Sequence, residues 1–178
     1  MRGQSYDNPA NMSGIYTGLQ ARIKAMNPLA YYVPCAGHSL NLVGTSAASS
    51  CLGSVSNSRF LKALYNFFSA STYRWDHLKA ALPAEGIVVK SLSETRWCAR
   101  ADAVKAVFLH YLEIKSALEN ICSDSRQTVA TNLEGEGLIR QMEAFEKALL
   151  IVIWYKILAR FMQPAYDFKK LRPTFCQL

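Results

Sequence analysis

The sequence predicts a mainly α-helical fold with one or two short strands, and three features carry that reading. From residue 58 onward, apolar residues recur at helical spacing through most of the chain, the pattern of helices that bury one face. Strand-like runs are confined to two short stretches, 30–34 and 87–89. The 178 residues are 51% hydrophobic and 19% charged, enough apolar material for one ordinary core and too little charge for a disordered chain.

Residues 1–12 are polar and turn-rich, with Asn8-Pro9 as a breaker. Asn11 or Ser13 is placed to cap a helix carrying Ile15, Leu19, Ile23 and Met26 on one face. That helix stops at Asn27-Pro28, because the residue before a proline is pushed out of the α region. The adjacent tyrosines and valine of 30–34 read as a short buried strand. A second helix starts over 38–43 and runs into the small residues of 44–58.

Phe60, Leu61, Leu64, Phe67 and Phe68 then share one helical face, and Ser71-Thr72 restarts the pattern at Trp75, Leu78 and Leu82. After a break over 83–89, which holds the second strand candidate, Ser93 suits the cap of one long helix. Its apolar face carries Val104, Val107, Phe108, Tyr111, Ile114, Leu118 and Ile121. A polar turn over 123–128 leads to a last helix beginning within 131–137, with Ile139, Met142, Phe145, Leu149, Ile153 and Ile157 packed inward. It is apolar nearly all round from 148 to 158, which places it at the centre of a bundle. Trp75 and Trp154 fall on apolar faces and read as core.

The net charge of +7 is uneven: residues 1–97 hold 9 Lys and Arg against 4 Asp and Glu, and residues 98–178 hold 11 against 9. A basic excess with 11% aromatic residues is compatible with nucleic acid. Arg59, Lys62, Arg74 and Lys79 are spaced either for a basic helical face or for ordinary solvated charge. Cys35, Cys51, Cys98, Cys122 and Cys176 form an odd set without a Cys-x-x-Cys pair. That speaks against a secreted disulfide framework and for a reducing intracellular compartment. The polar N-terminal stretch has no signal-peptide pattern. The most apolar run, 148–155, ends at Lys156 and is far shorter than the roughly 20 residues that span a bilayer, so no membrane partner is expected.

Candidate chemistry gathers at the N-terminal end. Asp7 precedes the turn Asn11-Met12-Ser13-Gly14 and, further on, Cys35-x-x-His38. As a residue alone it reads either as one ligand of a metal-ion site or as a turn-forming Asp beside Asn8-Pro9. Cys35 and His38 have a spacing that supplies two zinc ligands, but structural zinc takes four and no second pair is positioned to complete it. A core Cys with a buried, hydrogen-bonded His is the plainer alternative. Arg96 beside Trp97 offers a phosphate clamp and a stacking surface for an unpaired base, or else a surface Arg and a core Trp at a helix start.

Four blocks in order, GQSYDNPANMSG, GLQARIKAMNPLAYYVPCAGHSLNLV, RFLKALYNFFSASTYRWDHLK and KSLSETRWCARADAVKAV, resemble successive blocks of the hobo/Activator-type (hAT) DNA transposases. The resemblance is to the branch that includes the MYM-type zinc-finger-1-like proteins, and it covers roughly residues 2–160. It implies a fragment of an RNase H-like α/β core over 1–58, followed by an all-α insertion bundle over 59–178. The tail PAYDFKKLRPTFCQL departs from the relatives' pattern, so the insertion is expected to be truncated there.

The parent chemistry implied by the resemblance is metal-dependent DNA cleavage and strand transfer by an Asp-Asp-Glu triad. Its carboxylates must cluster because two hard cations, Mg²⁺ or Mn²⁺, about 4 Å apart bind the attacking and leaving oxygens. Asp7 matches the second carboxylate, and so a catalytic residue and metal ligand. His38 matches a position beside the catalytic centre, and Arg96 with Trp97 matches the block that contacts DNA ends, where the Trp stabilises a flipped base. The first Asp would precede residue 1 and the Glu would lie near or past residue 178. This chain alone is therefore expected to be catalytically incomplete and to hold no metal. The resemblance further implies DNA as partner, a nuclear location, and homo-oligomers formed through segments outside this chain.

Two departures from the family pattern stand out. The relatives usually have Asp-Gly-Ala before Asn-Met, whereas this chain has Asp7-Asn8-Pro9-Ala10, so proline's fixed φ replaces a free backbone next to a metal ligand. Pro34 stands where His often precedes the Cys. These departures keep a second function open: a domesticated, non-catalytic nucleic-acid-binding or protein-interaction module.

Overall fold

Helical periodicity governs most of the chain. A computed structural model describes the backbone of residues 3–92 and 97–171, and the side chains of 3–92 and 99–161. Among the described residues there are nine helices and one two-stranded sheet, so the mainly α expectation holds. The chain divides into two compact units, Met1–Ala47 and Ala48–Leu178. The expected boundary at 58/59 lies inside an 18-residue helix of the second unit.

The first unit comprises β1 (Gly3–Gln4), α1 (Ala10–Ser13), α2 (Leu19–Met26), β2 (Tyr31–Tyr32) and most of α3 (Ala36–Ser49). The strands pair in parallel, Gly3 opposite Tyr31 and Gln4 opposite Tyr32. The strand expected over 30–34 is thus present but shorter, and it is not buried: Tyr31 is 64% exposed. One helix was expected through Ile15 and Met26; instead α1 ends at Gly14 and α2 starts after Gly18. A Cβ on Gly14 would collide with the Ala10 carbonyl oxygen, and one on Gly18 would lie 2.5 Å from the Gly14 oxygen, so the two glycines permit a turn too tight for other residues. Pro9 rather than Asn11 or Ser13 takes the N-cap position, and Ser13 Oγ donates back to the Asn8 carbonyl at 2.7 Å.

The second unit holds α4 (Leu52–Ser69), α5 (Thr72–Ala81), α6 (Trp97–Leu109), α7 (Tyr111–Cys122), α8 (Val129–Glu143) and α9 (Phe145–Leu171). Phe60, Leu61, Leu64, Phe67 and Phe68 of α4 are all buried, as their spacing requires. Leu78 and Leu82, on and after α5, are buried too, and Trp75 and Trp154 pack against the core. The stretch 87–89 is not a strand, because no neighbour pairs with it among the described residues. It is held instead by the Ile87 amide donating to His110 Nε2 at 3.2 Å and by burial of Val89.

Both long helices expected in the second unit are split. Ser93, the expected cap, lies outside the described residues. At His110 the backbone leaves the helical region (φ −122°, ψ 37°), separating α6 from α7. The bend lets α6 pack on α9 while α7 packs on α5 and α8, which one straight helix would not reach. Helix α8 starts at Val129, earlier than expected, because Thr128 Oγ1 accepts the Thr131 amide at 3.2 Å. It ends at Ala144, whose extended backbone (ψ 120°) re-aims α9.

That second break overturns the central placement of the last helix. Phe145, Leu149, Ile153 and Ile157 are 80, 45, 41 and 46% exposed rather than packed. The inward face of α9 carries Lys147, Ile151, Trp154 and Leu158, and Tyr155 stacks on Phe108 with centroids 4.0 Å apart.

Two polar features tie the bundle. Asp124, in the α7–α8 turn, accepts from Tyr73 Oη at 2.5 Å and from Arg126 Nε and an Arg126 terminal nitrogen, both at 3.0 Å. The Arg126 guanidinium, then the Tyr73 hydroxyl, hold its carboxyl well below the usual carboxylate range. Lys147 is buried and, among the described residues, has no carboxylate partner; its Nζ donates to Ser56 Oγ at 2.9 Å and lies 5.5 Å from the Phe60 ring centroid. Burial pushes its pKa down.

Asp124→Asn should destabilise the protein at neutral pH. A lowered folded-state pKa contributes stability that is fully present above the unfolded value of about 4 and is lost as pH falls below it. Urea melts of the two proteins should therefore differ at pH 7 and converge under acid. Lys147→Met should raise the melting temperature at pH 7, because a charge with no counter-ion is replaced by an apolar chain of similar volume. The advantage should shrink as pH rises toward about 10.4, where the unfolded chain also begins to lose the proton.

Candidate functional site

The parallel pairing of β1 and β2 sends both chains out at the same end of the strands. Beyond β1 the chain stays extended, with the Val33 amide donating to the Gln4 carbonyl at 2.9 Å and the Cys35 amide to the Tyr6 carbonyl at 3.2 Å. Asp7 follows Tyr6 directly, and His38 sits in the first turn of α3. The two meet there, His38 Nδ1 lying 3.8 Å from Asp7 Oδ1. The Asp7 side chain is 65% exposed and that of His38 29%. The contact is solvated and longer than a hydrogen bond, so it adds little to the fold. The carboxylate lies on the Nδ1 side of the ring, beyond hydrogen-bond reach.

A polar network lies beside the pair, in a stretch whose sequence reads as turns. Gln4 is only 8% exposed. Its Nε2 donates to the Ala30 carbonyl at 2.9 Å and the Gln20 carbonyl at 3.2 Å, and its Oε1 accepts from Tyr6 Oη at 2.5 Å. Tyr32 Oη donates to Asn8 Oδ1 at 2.9 Å, and its ring lies against that of Tyr6 with centroids 5.1 Å apart. Tyr32 thereby contacts the chain on either side of Asp7, at Tyr6 and at Asn8.

Two divalent cations need clustered carboxylates. Among the described residues no group of three or more His, Cys, Asp and Glu is gathered to hold a metal ion. Asp7 and His38 are two donors, one of them a carboxylate, and do not by themselves fit such a site, so no step is derived through a metal. Cys35 is partly exposed with a free thiol, and its amide, not its sulfur, makes the contact to Tyr6. Arg96 lies outside the described residues; Trp97 opens α6, and its side chain lies outside them too.

The candidate basic face is dispersed. Arg74 covers the Phe67 ring at 4.7 Å and Lys79 pairs with Asp76 at 3.8 Å, both on α5, while Arg59 and Lys62 are exposed on α4. The chain matches no protein-family model, no curated protein and no solved structure.

Gln4→Leu should weaken the strand pair by about 1–3 kcal/mol, since it strips buried acceptors of their donor. Asp7→Asn should stay within about 0.5 kcal/mol, as expected for an exposed position. Amide hydrogen exchange at Val33 and Cys35 measures both: strongly accelerated in the first variant, near wild type in the second.

Proposed function

We propose that the chain is a hAT-type DNA transposase-like protein. In this reading the first unit carries part of an RNase H-like core and the second a helical insertion. The observation that carries it is the meeting of Asp7 and His38 at the shared carboxyl end of two parallel strands, the end at which open α/β sheets bind their ligands. The exposed apolar residues of the first unit, among them Ile15, Met26, Leu29, Tyr31, Val33 and Val43, also favour it. Parallel sheets are ordinarily covered on both faces, so such a pair belongs in a larger sheet.

The parent reaction is metal-dependent phosphodiester cleavage and strand transfer in the nucleus. Asp7 serves as one of three carboxylates, His38 organises the site, and Arg96 and Trp97 contact the DNA end. With one carboxylate in place, the 178-residue chain binds DNA without cutting it. A second reading, a non-catalytic nucleic-acid-binding module, is favoured by the 9 to 4 excess of basic over acidic residues in 1–97.

Fluorescence anisotropy with duplex DNA should show an affinity that falls steeply with salt, because phosphate contacts release counter-ions. The same chain should leave supercoiled plasmid intact in Mg²⁺ or Mn²⁺. Nicking that disappears in Asp7→Ala would overturn the inactivity. Binding that is absent or indifferent to salt would remove DNA from both readings.

A further inference from the structure

The outer face of α9 is apolar over several turns, yet among the described residues it stays exposed. Leu149, Ile153 and Ile157 keep 45, 41 and 46% of their surface, with Phe145 and Val152 beside them at 80 and 36%. Single exposed hydrophobics are normal. Here they recur at every fourth residue and so form one stripe, turned away from the face that carries Ile151, Trp154 and Leu158 into the core.

The stripe ends in opposite charges. Counting outward from Ile153, Leu149 and Ile157 stand four residues away on either side, and Glu146 and Arg160 stand seven away. Glu146 and Arg160 are both exposed, and among the described residues neither has an ion-pair partner. The stripe Glu146, Leu149, Ile153, Ile157, Arg160 is therefore complementary to itself read backwards.

We propose that this face pairs with the same face of a second copy of the chain, α9 against α9 and antiparallel, about a two-fold axis beside Ile153. A two-fold interface is isologous, so whatever one residue meets must meet it in return. In this register Leu149 packs on Ile157 of the partner subunit and Ile153 on the partner's Ile153. Glu146 faces the partner's Arg160 at one end and Arg160 faces the partner's Glu146 at the other. A parallel arrangement would set like charges against each other at both ends, which selects against it. Antiparallel helices also place the positive end of each dipole beside the negative end of the other. Lys156, at the edge of the stripe, lays its methylenes along the seam and keeps its ammonium in water. The surface uses no residue of the Asp7–His38 pair and stands apart from the proposed function.

Sedimentation of the 178-residue chain across the micromolar range tests it. A monomer–dimer equilibrium is expected. Ile153→Glu should raise the dissociation constant at least about tenfold, as for a central anchor. Glu146→Arg and Arg160→Glu should each weaken the dimer several-fold, and the double variant should restore it. Circular dichroism should stay unchanged in all four, because these positions are exposed. A chain that remains monomeric throughout, or a dimer indifferent to Ile153→Glu, would overturn the proposal. A dimer that the double charge exchange fails to restore would overturn it equally, since the register defines it.

Discussion

The second unit depends on burying one ridge of α4. Phe60, Leu61, Leu64, Phe67 and Phe68 lose nearly all contact with water, and each such side chain stabilises the fold by about 1.5–3 kcal/mol. Three aromatic rings on one helix are more than a single neighbour can cover, so α5, α8 and α9 all pack against it. Details elsewhere follow from that demand. Arg74 closes over Phe67 from α5, and Lys147 enters from α9 with its ammonium near the Phe60 ring. Gly135 of α8 comes close enough that an added Cβ would touch Phe67 at 3.4 Å and collide with the Cys122 sulfur. Burial raises that thiol's pKa, and its sulfur lies 3.8 Å from the Asn132 carbonyl oxygen.

What the sequence disclosed was periodicity; what it concealed was where a period is interrupted. The faces of α4, α5 and α7 were legible because their apolar spacing runs unbroken between polar turns. The splits at His110 and Ala144 were not, since neither residue breaks a helix by its own preference. The breaks at Gly14 and Gly18 had a local cause, but Ile15, Leu19 and Met26 kept helical spacing across them. In the candidate site, the family resemblance of the ordered blocks singled out Asp7 and His38, and the parallel strands bring the two within 3.8 Å. Gln4 and Tyr32 stayed hidden, because a buried amide on a two-residue strand leaves no pattern.

The two units are built on different economies. The second has a continuous apolar core from α4 to α9. The first is held chiefly by hydrogen bonds of Gln4, Tyr6 and Tyr32 to one another and to main-chain carbonyls, with Ala30 its one fully buried apolar side chain among the described residues. A strand pair of this length is marginal by itself. Polar bonds of this kind specify a register more than they stabilise it, since each contributes only about 1 kcal/mol net.

The position of α9 in the chain also sets an order of events during synthesis. Its inward residues Ile151 and Leu158 close a core whose other wall, α4, is made much earlier. At about 5–20 residues per second, the roughly ninety residues between them take on the order of 5–20 s to emerge. Through that interval the phenylalanine ridge has only α5 and, later, α8 for cover. Until the last helix has been made, the ridge of a nascent chain is therefore covered less completely than in the finished unit.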